Sequence, residues 1–142
     1  MPKNSPPRDA AGKALPHDHP EILDSQHLIR HTKPHDLTKE TDTGISRLGS
    51  GAYCESSDGG MSVDHEEWMH QDTLASLNYV TDSRDGATRL TVGELRKLGF
   101  QVGWDPLPGN PHHCAVWGIS STKQRRKILR IGKTVRKADG ED

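Results

Sequence analysis

Two adjacent histidines follow a proline-rich stretch, and their residue type could support acid–base chemistry. Residues 105–111 contain three prolines, which restrict the backbone just before His112 and His113 enter an apolar segment. An imidazole titrates at about pH 6.5, so it can transfer a proton or donate a hydrogen bond to a phosphate. We therefore predict that His112 and His113 are candidate catalytic residues, oriented by Asp105 or Asn110. The alternative is a structural Asn-Pro turn whose histidine bonds the backbone.

A second candidate site lies in residues 46–51, which have the sequence Ser-Arg-Leu-Gly-Ser-Gly. Closely spaced glycine and serine residues can present backbone N–H groups to an anion, and an arginine adds a guanidinium group. The stretch lacks the Gly-Lys-Ser or Gly-Lys-Thr ending of a phosphate-binding Walker loop. Arg47 and Ser50 are therefore candidate anion-binding residues, and a bulge or turn is the structural alternative.

Nine histidines and two cysteines raise the question of a metal site. His27, His31 and His35 are four residues apart, but Pro34 breaks the helix that would align them on one face. No Cys-x-x-Cys pair is present. The sequence therefore predicts neither a metal nor another cofactor.

Cys114 directly follows His113, and a cysteine beside a histidine could act as a nucleophile. The residues after it are apolar, and an apolar strand raises the pKa of a thiol and makes it unreactive. The interpretation that we favour is a buried, inert thiol.

Positive charge is concentrated near the carboxyl end of the chain. Between residues 106 and 138 there are eight Lys and Arg residues and no Asp or Glu, whereas the whole chain has a formal net charge of −1. Such a basic block is typical of proteins that bind nucleic acid or another polyanion. The alternative is a solvated helix face that balances the acidic remainder. The candidate nucleic-acid-binding residues are Lys123, Arg125, Arg126, Lys127, Arg130 and Lys133.

Apolar patterns and capping residues predict the elements that must position these side chains. Strands are expected near residues 26–31, 45–53, 61–63, 87–92, 100–104 and 113–119. Asp64 and Glu67 resemble a capping box that begins a first helix. Thr91 and Glu94 form the Thr-x-x-Glu pattern of a second capping box.

The last predicted helix carries the basic block. Ser120 or Ser121 can cap its start, it continues through Ile131, and Gly132 ends it. Together with the preceding elements, this order predicts an α+β fold with a small mixed sheet and two or three helices.

Length and composition predict one domain with unfolded ends. The chain has 142 residues, of which only 30% are hydrophobic and 4% aromatic. Residues 1–25 contain five prolines and little apolar bulk, and residues 132–142 are mostly polar or charged. We therefore predict a disordered tail over 1–25, a single α+β domain over 26–131 that ends in the basic helix, and a flexible tail over 132–142.

The cellular setting is predicted from the cysteines and from hydropathy. Two cysteines are too few for a disulfide framework, and the chain shows no signal peptide and no apolar run of membrane length. These features predict a cytoplasmic protein without a membrane partner.

Three segments carry a resemblance to other sequences. They are Asp58-Gly-Gly-Met-Ser-Val-Asp64, Thr91-Val-Gly-Glu-Leu-Arg-Lys-Leu-Gly-Phe-Gln-Val102 and Asp105-Pro-Leu-Pro-Gly-Asn-Pro-His-His-Cys-Ala-Val116. Together they resemble a loose group of small uncharacterised bacterial proteins that share a Ser-Val-Asp turn, a Val-Gly-Glu helix start and an Asn-Pro-x-His loop. The resemblance covers residues 27–119 and implies a related fold but no reaction. Cys114 stands where the group more usually has alanine.

Three functional hypotheses follow. The favoured one is a small accessory module that docks a protein partner and contacts nucleic acid through its basic helix. Because no aromatic residue interrupts the basic block, we expect backbone contacts that do not depend on base sequence. The second is a small enzyme acting on a phosphate-containing nucleotide or RNA, with a histidine as acid or base and with Arg47 and Ser50 holding the anion. The third is a structural or regulatory protein-interaction domain.

Overall fold

The computed structural model describes residues 1–57, 59–80 and 82–142. Asp58, which begins the first resemblance segment, lies outside the described residues. The strands are β1 (His27–Thr32), β2 (Leu37–Lys39), β3 (Ser46–Leu48), β4 (Met61–His65), β5 (Gly86–Thr91), β6 (Gln101–Trp104), β7 (His113–Trp117) and β8 (Lys133–Arg136). The helices are α1 (Glu66–Gln71), α2 (Val92–Lys97) and α3 (Thr122–Ile131), with short 3-10 helices at Pro34–Asp36 and Ser50–Tyr53. The predicted α+β class with up to three helices is confirmed.

Six of the strands form one sheet in the order β6-β7-β4-β1-β5-β8, while β2 and β3 pair separately. The sequence predicted a small mixed sheet. Each of the five pairings within the large sheet is antiparallel. β7 lies between β6 and β4, and all five of its residues are buried. β7, which begins at His113, is therefore an interior strand, as its apolar sequence predicted.

Side chains alternate between the two sides of the large sheet, and the two sides differ in chemistry. On one side, Val63 of β4 and Cys114 of β7 belong to the main apolar core, to which α2 and α3 also contribute. We call this side the core face. Asp64 and His113 are the next residues along the same strands, so they project from the opposite side, which we call the polar face. Asp64 and His113 pair directly across the two strands.

Tyr53 anchors α3 to the core face. Its side chain is 1% exposed, and its hydroxyl donates to the Thr88 hydroxyl of β5 at 2.9 Å. A Cβ added at Gly132, which follows α3, would lie 2.8 Å from the Tyr53 hydroxyl oxygen. Glycine is therefore needed at this position so that the end of α3 can approach the tyrosine closely. Ile128, which is fully buried, provides the apolar contact of α3 with the core.

The caps of the three helices differ in how well local sequence predicted them. Ser121 and Gln124 form the capping box of α3, and Gly132 follows its last residue, as predicted. Thr91 occupies the N-cap position of α2, but its side chain makes no capping hydrogen bond. The expected start of α1 at Asp64 is wrong, because Asp64 lies within β4 and the ring of His65 accepts from the Trp68 N–H instead.

The expected disorder of residues 1–25 is corrected by the structure. His19 is 2% exposed, and Arg96 of α2 holds this part of the chain with its whole guanidinium group. The group donates to Asp18 at 3.0 Å, to Asp24 at 2.7 Å and to the His19 carbonyl at 3.0 Å. Composition suggested disorder because apolar bulk is scarce, whereas hydrogen bonds to one arginine order the segment.

The same segment covers the outer edge of β6. The N–H of His19 donates to the Val102 carbonyl at 2.9 Å, and the Val102 N–H donates to the Asp18 carboxylate at 2.9 Å. The N–H of Trp104 donates to Nε2 of His17 at 3.1 Å. These bonds satisfy backbone groups that an edge strand would otherwise present to other chains.

Gly103 makes the covering of β6 sterically feasible. A Cβ at this position would lie 2.6 Å from the His17 ring and 2.6 Å from the Trp117 ring. The two rings are tilted, with their centroids 5.2 Å apart. Any side chain larger than hydrogen would therefore push the amino-terminal segment away from the sheet.

The expected flexibility of residues 132–142 is also corrected. β8 lies within this segment and pairs with β5, and Ala138 is 3% exposed. At the chain end, the Asp142 N–H donates to the Ser46 carbonyl at 2.9 Å, and the Ser46 N–H donates to the Asp142 carboxylate at 2.7 Å. Main-chain pairing orders this segment, and polar composition does not reveal such pairing.

Replacing Asp18 with alanine should destabilise the protein, because the variant loses the contact with Arg96 and leaves the Val102 N–H without its acceptor. We expect the free energy of unfolding in urea to fall by about 1 kcal/mol, since Asp18 is partly exposed and its bonds are weakened by solvent. The control is Asp42→Ala, at an exposed aspartate of the loop between β2 and β3. Equal unfolding free energies for the two variants would contradict this prediction.

Candidate functional site

The two candidate catalytic histidines have different surroundings. His112 is 2% exposed and lies just before β7. Its Nε2 donates to the Asp72 carboxylate at 2.5 Å, and its Nδ1 is hydrogen-bonded to the Tyr79 hydroxyl at 3.0 Å. Because both ring nitrogens are engaged by the protein, His112 connects the end of α1 to the loop before β7. These contacts are structural, but they differ from the backbone bond that the sequence offered as the alternative, since both partners of His112 are side chains.

Among the described residues, His113 is held through one ring nitrogen. Its Nδ1 donates to the Asp105 carbonyl at 2.7 Å, and the Asp105 carboxylate lies 3.4 Å from the same nitrogen. A proton fixed on Nδ1 leaves the Nε2 lone pair of the neutral ring available for another partner. His113 thus meets the electronic requirement for proton transfer, with Asp105 in the orienting position that the sequence suggested.

His113 and Ser62 line two adjoining cavities. The larger cavity has a volume of about 460 Å³ and lies beneath the loop of prolines 106 and 108. Arg8 and Lys13 contribute cationic groups to it, and Asp105 contributes a carboxylate. The smaller cavity, of about 170 Å³, lies against the polar face. A molecule bound in either cavity would meet the His113 ring.

The smaller cavity brings together polar side chains from distant parts of the sequence. Asn110 Nδ2 donates to Asp64 Oδ1 at 2.8 Å, and Asp64 Oδ2 lies 3.6 Å from Nε2 of His31. Tyr79 also lines this cavity. Burial lowers the pKa of His31 below its ordinary value, and the nearby Asp64 carboxylate partly opposes this shift.

Sequence reasoning missed two members of this group. Pro34 argues against aligning His31 with His27 and His35 on one helix face, and the sequence pattern predicts a helix cap at Asp64. Their proximity comes from the register of β1 with β4, in which Ile29 lies opposite Asp64. No local pattern signals such a contact, since the two strands are about thirty residues apart in the chain.

The candidate anion-binding residues lie away from these cavities. Arg47 is in β3, where its guanidinium group pairs with Glu40 at 2.8 Å, and Ser50 begins a 3-10 helix. Neither residue lines the two cavities that His113 lines. The structure therefore does not bring Arg47 and Ser50 together with the histidines.

Four of the basic residues share one side of α3. With about 100° of rotation per residue, Lys123, Arg126, Lys127 and Arg130 fall within an arc of about 100°, opposite the buried Ile128. Lys127 is half-buried and the other three are exposed. We call these four side chains the basic face of α3.

Two further candidates lie outside the basic face. Arg125 projects from another side of α3 and donates to the Thr122 hydroxyl at 2.7 Å. Lys133 begins β8 and is exposed. Both residues lie in or next to α3, but neither belongs to its basic face.

The basic face is not neutralised by carboxylates of its own chain. Within residues 1–57, 59–80 and 82–142, no Asp or Glu forms an ion pair with Lys123, Arg126, Lys127 or Arg130. The ion pairs of Lys and Arg in the described structure instead involve Lys33, Arg47, Arg84, Arg89 and Arg96. The positive charge of α3 is therefore available to an external partner.

One cluster of metal-ligating residue types is already saturated by internal contacts. Donor atoms of His27, Glu66 and Glu67 lie within 4.8 Å of one another. However, Arg89 binds both carboxylate oxygens of Glu66, at 2.7 and 2.8 Å, and Glu67 accepts from the backbone and the ring of His27. These ion pairs explain the cluster as a structural link between α1, β1 and β5.

Cys114 lies in the core face and has no access to solvent. Burial raises the pKa of its thiol well above the ordinary value, and the Asp64 and Asp105 carboxylates add to this shift. Its Sγ donates to the His112 carbonyl at 3.7 Å. These surroundings favour the inert thiol over the nucleophile.

Comparison with known proteins gives no relative, because no known protein family, curated protein or solved structure matches the chain. Function must therefore be argued from the residues themselves. In the described part of the chain, no helix has both the length and the apolar character needed to cross a membrane.

The burial of Cys114 predicts selective thiol chemistry. At mildly alkaline pH a disulfide reagent should modify one thiol per native chain, since Cys54 is exposed and Cys114 is buried with a raised pKa. In denaturant the count should rise to two. The variant Cys54→Ser should show no reaction in its native state, and rapid modification of that variant would contradict the prediction.

Proposed function

We propose that the protein is a small module that binds the phosphate backbone of nucleic acid through the basic face of α3. The observation that carries the proposal is the unpaired state of four basic side chains that share one side of one helix. If carboxylates of the same chain paired with these side chains, α3 would be better explained as a solvated structural helix. Because no described carboxylate pairs with the basic face, we favour an external polyanion as its partner.

The proposed mode of binding is electrostatic. Each lysine or arginine that neutralises a phosphate releases condensed counterions, so affinity depends steeply on salt concentration. A ten-residue helix is about 15 Å long, which allows its side chains to reach several phosphates of one duplex. The basic block contains no aromatic side chain on which bases could stack. We therefore propose contacts with the backbone that do not depend on base sequence.

Local charge, and not net charge, would drive this binding. The chain has a formal net charge of −1, so its net charge gives no attraction to a polyanion. The acidic remainder would instead orient the molecule, with α3 directed toward the phosphates. The cytoplasmic location and the protein partner expected from the sequence belong to the same proposal.

The enzyme hypothesis is supported in part. His113 borders a cavity of about 460 Å³ and has one ring nitrogen held by Asp105, as an acid–base residue requires. The other three residues of the enzyme hypothesis fit less well. Arg47 and Ser50 line neither cavity, and both ring nitrogens of His112 are hydrogen-bonded within the protein. We therefore place polyanion binding first. The hypothesis of a purely structural domain does not explain why the basic side chains of α3 are left without carboxylate partners among the described residues.

Replacing the basic face should abolish salt-dependent binding. A variant with glutamine at positions 123, 126, 127 and 130 should bind short DNA duplexes of unrelated sequence far more weakly than the wild type. If each side chain neutralises one phosphate, the slope of log affinity against log salt concentration should become smaller by about 3 to 4. Fluorescence anisotropy between about 50 and 200 mM salt measures both quantities.

A matched control separates the basic face from net charge. The control changes four exposed cations elsewhere on the molecule and lowers net charge by the same amount. It carries Lys3→Gln, Lys39→Gln, Arg84→Gln and Lys97→Gln. We expect this control to keep the wild-type salt slope. Equal loss of affinity in both variants, or full affinity in the α3 variant, would refute the proposal.

A further inference from the structure

The smaller cavity on the polar face contains a buried carboxylate that no Lys or Arg of the described residues neutralises. Asp64 is 4% exposed. In the described part of the chain it accepts one side-chain hydrogen bond, from Asn110, and no Lys or Arg lies within salt-bridge distance of it. A carboxylate removed from water without a compensating positive charge is strongly unfavourable. The surroundings of Asp64 therefore favour a bound cation.

Two further atoms in this cavity are buried and unsatisfied. Nε2 of His31 and Oδ1 of Asn110 have no hydrogen-bond partner in the described structure, although both residues line the cavity with Asp64. The orientation of Asn110 is fixed by chemistry. Since the Asp64 carboxylate can only accept, the amide nitrogen must face it, and the carbonyl oxygen must point elsewhere. The cavity thus presents one nitrogen and two oxygens capable of donating lone pairs.

The spacing of the His31 nitrogen and the Asp64 oxygen suits coordination better than hydrogen bonding. Nε2 of His31 and Oδ2 of Asp64 are 3.6 Å apart, beyond hydrogen-bonding distance. Two ligands bound to one ion at about 2.1 Å lie about 3.4 Å apart in tetrahedral geometry. Movement of a few tenths of an ångström would place both atoms on one ion.

We infer that His31 Nε2 and Asp64 Oδ2 form a binding site for a first-row divalent cation, with Asn110 Oδ1, buried and unsatisfied in the same cavity, as the third ligand. One imidazole nitrogen with two oxygens suits Zn²⁺ or Mn²⁺, whereas Ca²⁺ takes six to eight oxygen ligands. Three protein ligands would leave further coordination positions open to the cavity, which Ser62 and His113 also line. The hydrogen bond from the Asn110 amide nitrogen to Asp64 would also orient the carboxylate.

This site is separate from the proposed nucleic-acid interface. Asp64 projects from the polar face, while α3 packs on the core face through Ile128. A variant of the cation site should therefore leave the salt slope of DNA binding unchanged. Failure of either proposal would not count against the other.

The test uses the full chain, freed of metal by a chelator and titrated with Mn²⁺ or Zn²⁺ alone. Calorimetry should show one site per chain in the wild type. Paramagnetic Mn²⁺ should broaden the NMR signals of residues around 31, 64 and 110. Asp64→Asn and His31→Gln should each weaken binding by more than about tenfold. The control His27→Gln alters the other cluster of histidine and carboxylates and should bind normally.

Two variants exclude unfolding as the cause of lost binding. Asp64→Asn removes the uncompensated charge and keeps an oxygen that accepts from Asn110, so without metal its melting temperature should equal or exceed that of the wild type. Asn110→Asp adds a second carboxylate, which should lower the melting temperature of the metal-free protein and raise its affinity for the cation. Unchanged cation affinity in Asp64→Asn, or broadening centred elsewhere, would overturn the inference.

Discussion

The antiparallel register between β4 and β7 is the constraint on which the rest of the structure depends. It places Asp64 opposite His113 and Val63 opposite Cys114. A shift of one residue would turn every side chain of a strand to the other side of the sheet. Asp64 would then enter the apolar core, and Val63 would lie among the polar side chains of the polar face. The cost of burying that carboxylate among apolar side chains keeps the register unique, and the register in turn keeps the cavity polar.

The sheet also separates two kinds of charge. Positive side chains of α3 lie on the outer side of a helix that packs on the core face, while Asp64 and the histidines of the cavity lie on the polar face. Tyr53 and Ile128 hold α3 in place by contacts that its outer side does not share. Substitutions in the two regions should therefore have additive effects on stability. The sheet thus keeps two chemically different surfaces of one small domain apart.

Local sequence signals predicted the elements whose evidence is local. Ser121 caps the start of α3 and Gly132 follows its last residue, so local sequence marks both ends of this helix. The cavity could not be predicted in this way, because His31 and Asp64 meet only after β1 and β4 pair. The ordered ends were missed for a related reason. Residues 1–25 are held by hydrogen bonds to distant groups, and composition carries no record of such partners.

The two outer strands of the large sheet are protected from other chains by different means. β6 is covered by the amino-terminal segment, whereas among the described strands none pairs with the outer side of β8, which begins at the exposed Lys133. Charged side chains on an edge strand repel the same strand of another chain and so discourage pairing. Dissolved ions screen this repulsion, but they do not displace a segment that covers an edge. Self-association of this protein at high ionic strength should therefore be directional, with chains meeting through β8 and leaving β6 closed.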